Sequence, residues 1–294
     1  MSSPENASAA TMDPIAPPER PPRAAQGGAA KLIEPFKEFA SEMGNLVGFS
    51  VYAIYRMIVV CLTFRLSLSE VHDQSRFISR VCSVPALLLT IPVGALIAIS
   101  VGNLAGKLGA EGYSGAATGM VIVGQAAALV CALMLAGVAG SAITADLGAR
   151  KIREEIDAME VMGVDPVDRL VVPRLIATML VAVAMCSLVA FAGVIATMLY
   201  QVYYLKGNGG EFLATFSAYS RSSDLIASLV KALFFGLASA LVCTFKGLIA
   251  KEGASGVADA VNEAVVIAFV VAFVVNTVLS QLYSVLVPAV GNYV

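Results

Sequence analysis

Charge is scarce in this chain: 14% of its 294 residues are Asp, Glu, Lys or Arg, while 58% are hydrophobic. That is more apolar surface than a water-soluble domain needs to hide, so lipid is the expected solvent. The formal net charge is only −2, and without a clustered Lys/Arg surface nucleic acid is excluded as a partner. Histidine occurs once, as His72, and the five cysteines, Cys61, Cys82, Cys131, Cys186 and Cys243, stand singly in apolar runs without CxxC spacing. Metal sites and disulfides are therefore not expected, and the thiols read as buried and inert. A phosphate-binding loop is also missing. Its nearest approach, GNLAGKL at 102–108, has three residues between glycines where a Walker motif has four, and ends in Leu where that motif has Ser or Thr. One histidine and scattered serines make no convergent nucleophile and base, so neither catalysis nor a bound cofactor is expected of this chain.

What is present is a series of long apolar runs. Residues 1–30, rich in Pro, Ala and Ser and lacking an apolar h-region, read as a disordered tail and not a signal peptide. Residues 31–80 interrupt their apolar stretches with Lys37, Glu38, Glu42 and Arg56. Because an Arg at mid-bilayer costs about 2.5–3.5 kcal/mol, this region reads as an amphipathic helix lying in the interface. Within 81–294, five stretches, approximately 82–106, 116–145, 175–200, 224–245 and 258–287, are long enough to span. The segments 65–80, 146–174 and 246–256 hold most of the basic residues, Arg174 and Lys246 among them, against Lys107, Lys206 and Arg221 on the other side. The positive-inside rule then puts the N-terminus in the cytoplasm and the C-terminus outside. Small residues such as Gly137 and Gly140 predict close helix approach.

The charges concentrate in GARKIREEIDAMEVMGVDPVDRL, residues 148–170. On a wheel of about 100° per residue, Ala149, Ile152, Ile156, Met159 and Gly163 share one sector, which predicts one short amphipathic helix near 148–163. Gly163 reads as its stop, Asp165 as the cap of the next helix and Pro166 as that helix's first residue. Bases precede acids, against the helix dipole, and the pairs Arg150/Glu154, Lys151/Glu155 and Arg153/Asp157 are in the weaker order. That arrangement fits a helix docked on a partner, with the apolar stripe as anchor. Within the spans, Gln125, Lys231, Glu263 and Asn276 are the polar candidates for a substrate path. Lys231 shares a helix face with Asp224 and either snorkels outward or faces the interior. A Lys231/Glu263 pair would suit a proton-coupled secondary transporter of a hydrophobic solute, the alternative to the reading that follows.

Residues 136–177, AGVAGSAITADLGARKIREEIDAMEVMGVDPVDRLVVPRLIA, resemble the signature of the MlaE/YrbE permease family, in particular the YrbE subunits of actinobacterial Mce lipid-import systems. The resemblance continues through 224–266. It implies an all-α integral membrane protein: an N-terminal interfacial helix, five transmembrane helices and a cytoplasmic coupling helix, in the plasma (inner) membrane. The chain would then be the non-catalytic permease of an ABC transporter. A separate cytoplasmic ABC ATPase would use ATP and Mg and receive the coupling helix through Arg150, Arg153, Glu154, Glu155, Ile156, Asp157, Met159 and Glu160. Asn276, where many members carry Asp, is similar to the A-type subunits, which implies a heterodimer with a second YrbE permease. Mce substrate-binding proteins would stand on the outer side, and the cargo would be an imported fatty acid, sterol or phospholipid. The family's Leu-Gly-Pro turn is absent where Ala126, Ala127 and Ala128 follow Gln125, so the second span is expected to run without local unwinding there.

Overall fold

The computed structural model describes residues 28–63, 67–109 and 111–286, so most of the expected tail at 1–30 lies outside the described residues. The chain divides into two units, residues 1–45 and 46–294, and the packing and the candidate site described below belong to the second. Among the described residues all regular structure is helical. Helix α1 covers Gly28–Leu62 and α2 covers Leu68–Lys107. The next run, Ser114–Ile152, is built from α3 (Ser114–Thr118), α4 (Ala127–Met134) and α5 (Gly140–Ile152). Then come α6 (Glu155–Val161), α7 (Val172–Tyr203), α8 (Gly209–Tyr219), α9 (Ser222–Leu248) and α10 (Gly253–Leu286).

The run from 114 to 152 corrects one expectation. It contains two π-helical segments, Gly119–Ala126 and Leu135–Ala139, in place of an uninterrupted α-helix. Gly119, Gly124 and Gly137 sit in these wide turns, and a missing Cβ lowers the cost of a non-α backbone. Aromatic rings fill the space: a Cβ at Gly119 would lie 3.3 Å from Phe216, and one at Gly137 would lie 3.3 Å from Phe269.

The long helices alternate in direction, with α2 packed on α7, α7 on α9, α9 on α10, and α5 against both α9 and α10. Small residues set the spacing, as the glycines predict. A Cβ on Gly236 would stand 2.8 Å from the Ala182 Cβ and 3.0 Å from the Thr178 carbonyl, so α7 and α9 touch backbone to backbone. Helix α10 buries only a stripe of Gly256, Ala260, Ala264, Ala268 and Ala272 and leaves Val266, Val270, Val274 and Val278 exposed.

Six helices among the described residues are long and apolar enough to cross a membrane, one more than the five counted from the sequence; the sixth is Ser41–Leu62 within α1. Its contacts distinguish it from the others. Phe49 stacks obliquely on Phe245 with ring centroids 5.4 Å apart, and Ala53 is buried with Val171, Leu175, Ala240 and Leu241. Arg56 donates to Asp168. These partners belong to the turn Val167–Val171, the start of α7 and the last turns of α9, so residues 49–56 pack on the end of the bundle that carries them. Cys82, Cys131, Cys186 and Cys243 are buried as expected, whereas Cys61 on α1 is exposed.

Candidate functional site

The charged turn is not one helix. α5 stops at Ile152, and Glu154 adopts a left-handed backbone, φ 57° and ψ 18°, before α6 begins. A left-handed non-glycine residue costs about 1–2 kcal/mol, and ion pairs closing over the break offset it. Arg153 Nε donates to Glu155 Oε1 at 2.7 Å, Lys151 Nζ to Asp157 Oδ1 at 2.5 Å, and Arg150 lies 3.9 Å from Glu155. The i,i+4 pairing expected for a continuous helix is therefore replaced, because the break shifts the register. The Arg153 hydrogen bond holds the Glu155 carboxyl below its ordinary range, and Glu155 in turn raises Arg153.

The break also splits the expected apolar stripe. Ile156 turns inward and is 4% exposed, so it anchors α6 to its own chain and is not available to a partner. Ile152 is exposed and Met159 half-buried, while Glu154, Asp157 and Glu160 are exposed. At the tip stand two residues that the wheel left out: Val161 is 90% exposed and Met162 is 70% exposed. The end signals hold. Gly163 has φ +75°, its N–H donates to the Glu160 carbonyl, and Val164 N–H donates to Met159 at 2.9 Å. Asp165 Oδ1 accepts from Val167 N–H at 2.9 Å, capping the π turn Val167–Val171 that leads into α7.

Ion pairs, two of them with a buried cation and a partly exposed carboxylate, tie this end of the bundle together. Arg174, 1% exposed, donates to Asp146, which also lies 3.4 Å from Arg150. Arg56 grips Asp168 with two nitrogens, Nε at 2.8 Å, and Tyr52 donates to Asp165 Oδ2 at 2.7 Å. Lys246 Nζ meets Glu263 Oε2 at 2.7 Å. Arg174 and Lys246, assigned from the sequence to connecting segments, thus lie buried inside α7 and α9. Glu263 is taken by Lys246, so the Lys231/Glu263 pair does not form. Hydropathy missed these pairs because their partners are far apart in sequence.

Gln125 and Lys231, by contrast, do come together. Lys231 is 3% exposed, and its ammonium donates to Ser280 Oγ at 3.0 Å, Gln125 Oε1 at 3.3 Å and the Gly124 carbonyl at 3.5 Å. Its ammonium thus turns to polar groups of two neighbouring helical runs of its own bundle. Gly124 and Gln125 lie in the first π segment, whose displaced hydrogen-bond ladder turns a carbonyl toward the amine. Ser280, a hydroxyl without hydropathy signal, escaped the sequence reading. Asn276 lies one turn before it, with Oδ1 buried and without a hydrogen-bond partner among the described residues. Lys231 has no carboxylate within ion-pair distance among the described residues; Asp224 instead accepts from Tyr283. Between α9 and α10, a groove of about 350 Å³ runs past this amine with walls that include Ile226, Val230, Leu279 and Leu282. A buried cation rich in hydrogen bonds, with no carboxylate in ion-pair contact among the described residues, suits an anionic group carried on an apolar body.

The family model described as Permease MlaE matches residues 71–282. The chain is 27% identical over 223 residues to a probable ABC transporter permease protein of Rickettsia typhi, covering 76% of this chain and 85% of that one. It is 30% identical over 201 residues to a probable ABC transporter permease protein of Synechocystis sp., covering 67% and 74%. It is also 28% identical over 186 residues to the intermembrane phospholipid transport system permease protein MlaE of Haemophilus influenzae, covering 61% and 71%. The family match runs from the first turns of α2 almost to the end of α10 and takes in both the charged turn and the Lys231 cluster: the chain belongs to the MlaE family of ABC transporter permeases.

Proposed function

We propose that this permease is the membrane subunit of an ATP-driven Mce-type lipid importer and that it passes an anionic lipid along the groove beside Lys231. The observation that carries the reading is the turn from Arg150 to Val164. It is pinned to its own bundle by Ile156, Asp146–Arg174 and Arg56–Asp168, yet offers exposed Val161 and Met162 inside a rim of charge. An apolar centre with a polar rim is the anatomy of a protein interface. The occupant is a cytoplasmic ABC ATPase, which supplies the ATP and Mg chemistry. Arg150, Arg153, Glu154, Asp157, Met159 and Glu160 serve as the rim.

A second YrbE permease completes a heterodimer, and Mce proteins deliver lipid on the outer side of the plasma membrane. The N-terminus and the charged turn face the cytoplasm. The name of the Haemophilus relative, a phospholipid transport permease, supports the lipid class. Purification of the tagged chain from native membranes, with identification of bound chains and lipids, tests the assembly; the ATPase, a second permease and Mce proteins are the expected companions. Lipid uptake that persists without the ATPase and stops when the proton gradient collapses overturns the reading.

A further inference from the structure

At the end of the bundle that carries the charged turn, α2 and α7 enclose a second groove, of about 560 Å³, that the transport reading does not use. His72, Arg76 and Arg80 line it at every fourth position of α2, and therefore on one helix face. Neither arginine has an ion-pair partner among the described residues. Ser75, on the same side, has a buried Oγ without a hydrogen-bond partner among the described residues. The opposite wall is apolar, with Leu180 and Ala184 of α7.

Depth decides what such a groove can hold. At about 1.5 Å per residue, Leu180 and Ala184 lie roughly 12 and 18 Å into α7, at the level of hydrocarbon. Helix α2 has 40 residues and at the same rise is about 60 Å long, twice the thickness of a bilayer core, so about 15 Å overhangs at each end and Arg76 and Arg80, roughly 12 and 18 Å from its start, stand at the border between headgroups and hydrocarbon. Two guanidinium groups and a spare hydroxyl at that border, facing an apolar wall, match a phosphate attached to acyl chains. A soluble anion would leave the apolar wall unmatched, and an acidic peptide would have to enter hydrocarbon to meet it.

We propose that this groove is a site for an anionic glycerophospholipid of the surrounding bilayer, distinct from cargo. Arg76, Arg80 and the Ser75 hydroxyl take the phosphate, and an acyl chain lies on Leu180 and Ala184. The lipid ties α2 to α7 where the side chains leave a positive cleft. The inference rests on membrane embedding and not on the transported substrate.

The test uses the intact transporter complex in nanodiscs of equal parts phosphatidylcholine and phosphatidylglycerol, with retained lipid measured after detergent extraction. A photoreactive residue placed at Ser79 in a second preparation reports what fills the groove. Wild-type protein is expected to retain phosphatidylglycerol over phosphatidylcholine and to crosslink to lipid. With each juxtamembrane charge worth about fivefold, Arg76→Gln with Arg80→Gln lowers the retained phosphatidylglycerol about 25-fold. The pair Arg76→Lys with Arg80→Lys retains most of it, which separates charge from folding, and millimolar inorganic phosphate leaves it in place. The proposal is overturned by equal retention of the two lipids, by unchanged retention in the Gln pair, by displacement with inorganic phosphate, or by a protein adduct at position 79.

Discussion

Lys231 keeps its ammonium inside the bundle through a serine, a glutamine and a backbone carbonyl, each of which is neutral. Such a site hydrates the charge by proxy but leaves its field unspent, and a passing headgroup would feel that field. Lys231→Met is expected to insert and accumulate normally while lipid uptake falls at least about tenfold, the loss of one desolvated charge pair. Lys231→Arg should retain part of the uptake, because the charge survives but the geometry changes. Wild-type uptake by a normally abundant Met variant refutes the role. Gly236 makes a purely steric counterpart. With no room for a Cβ between Ala182 and the Thr178 carbonyl, Gly236→Val should cost about 1–3 kcal/mol and lower the melting temperature of the solubilised protein. Gly48→Ala, with nothing within 4 Å of the added Cβ, should not lower it.

Helix α6 acts as a two-sided element, and its two faces predict different failures. Ile156→Ala removes an inward anchor and should destabilise the turn by about 2 kcal/mol or more, seen as faster amide exchange at 150–164. Val161→Asp with Met162→Asp touches only exposed side chains, so it should leave that exchange unchanged while releasing the ATPase from the purified complex. Co-purification at the wild-type level would remove Val161 and Met162 from the interface. The pairing of α1 with the turn is testable by exchange of charges. Arg56→Asp or Asp168→Arg alone should weaken ATP-dependent uptake, and the two together should restore part of it; failure of each single change to alter uptake would make the pair ornamental to coupling. The stop at Gly163 and the cap at Asp165 were legible in the sequence because each is a local backbone requirement. The break at Glu154 was not. Nothing in REE distinguishes a left-handed residue from a helical one; the turn is imposed by Ile156 packing inward and by ion pairs across the kink.

For the molecule as a whole, the five long apolar runs announced the bundle, since lipid demands apolar length whatever the packing partner. Where charges settle within it was hidden, because each of the pairs that matter joins distant segments: Arg56 with Asp168 across 112 residues, Arg174 with Asp146 across 28, and Lys246 with Glu263 across 17. The π segments were equally invisible, as their composition is that of any membrane α-helix. Orientation is open to direct measurement: Lys206→Cys should react with an impermeant thiol reagent applied outside, and Lys251→Cys should not. The reverse pattern would invert the topology. Both residues are exposed at opposite ends of the bundle, so neither result depends on access through protein. The distribution of native thiols makes a further tool of the unaltered chain. Four of the five cysteines are enclosed by helices and only Cys61 is open, so a folded chain should consume one equivalent of maleimide and an unfolded one five. The protein thus carries its own stoichiometric gauge of folding, and a dye on Cys61 would report the surroundings of α1 without any engineered residue.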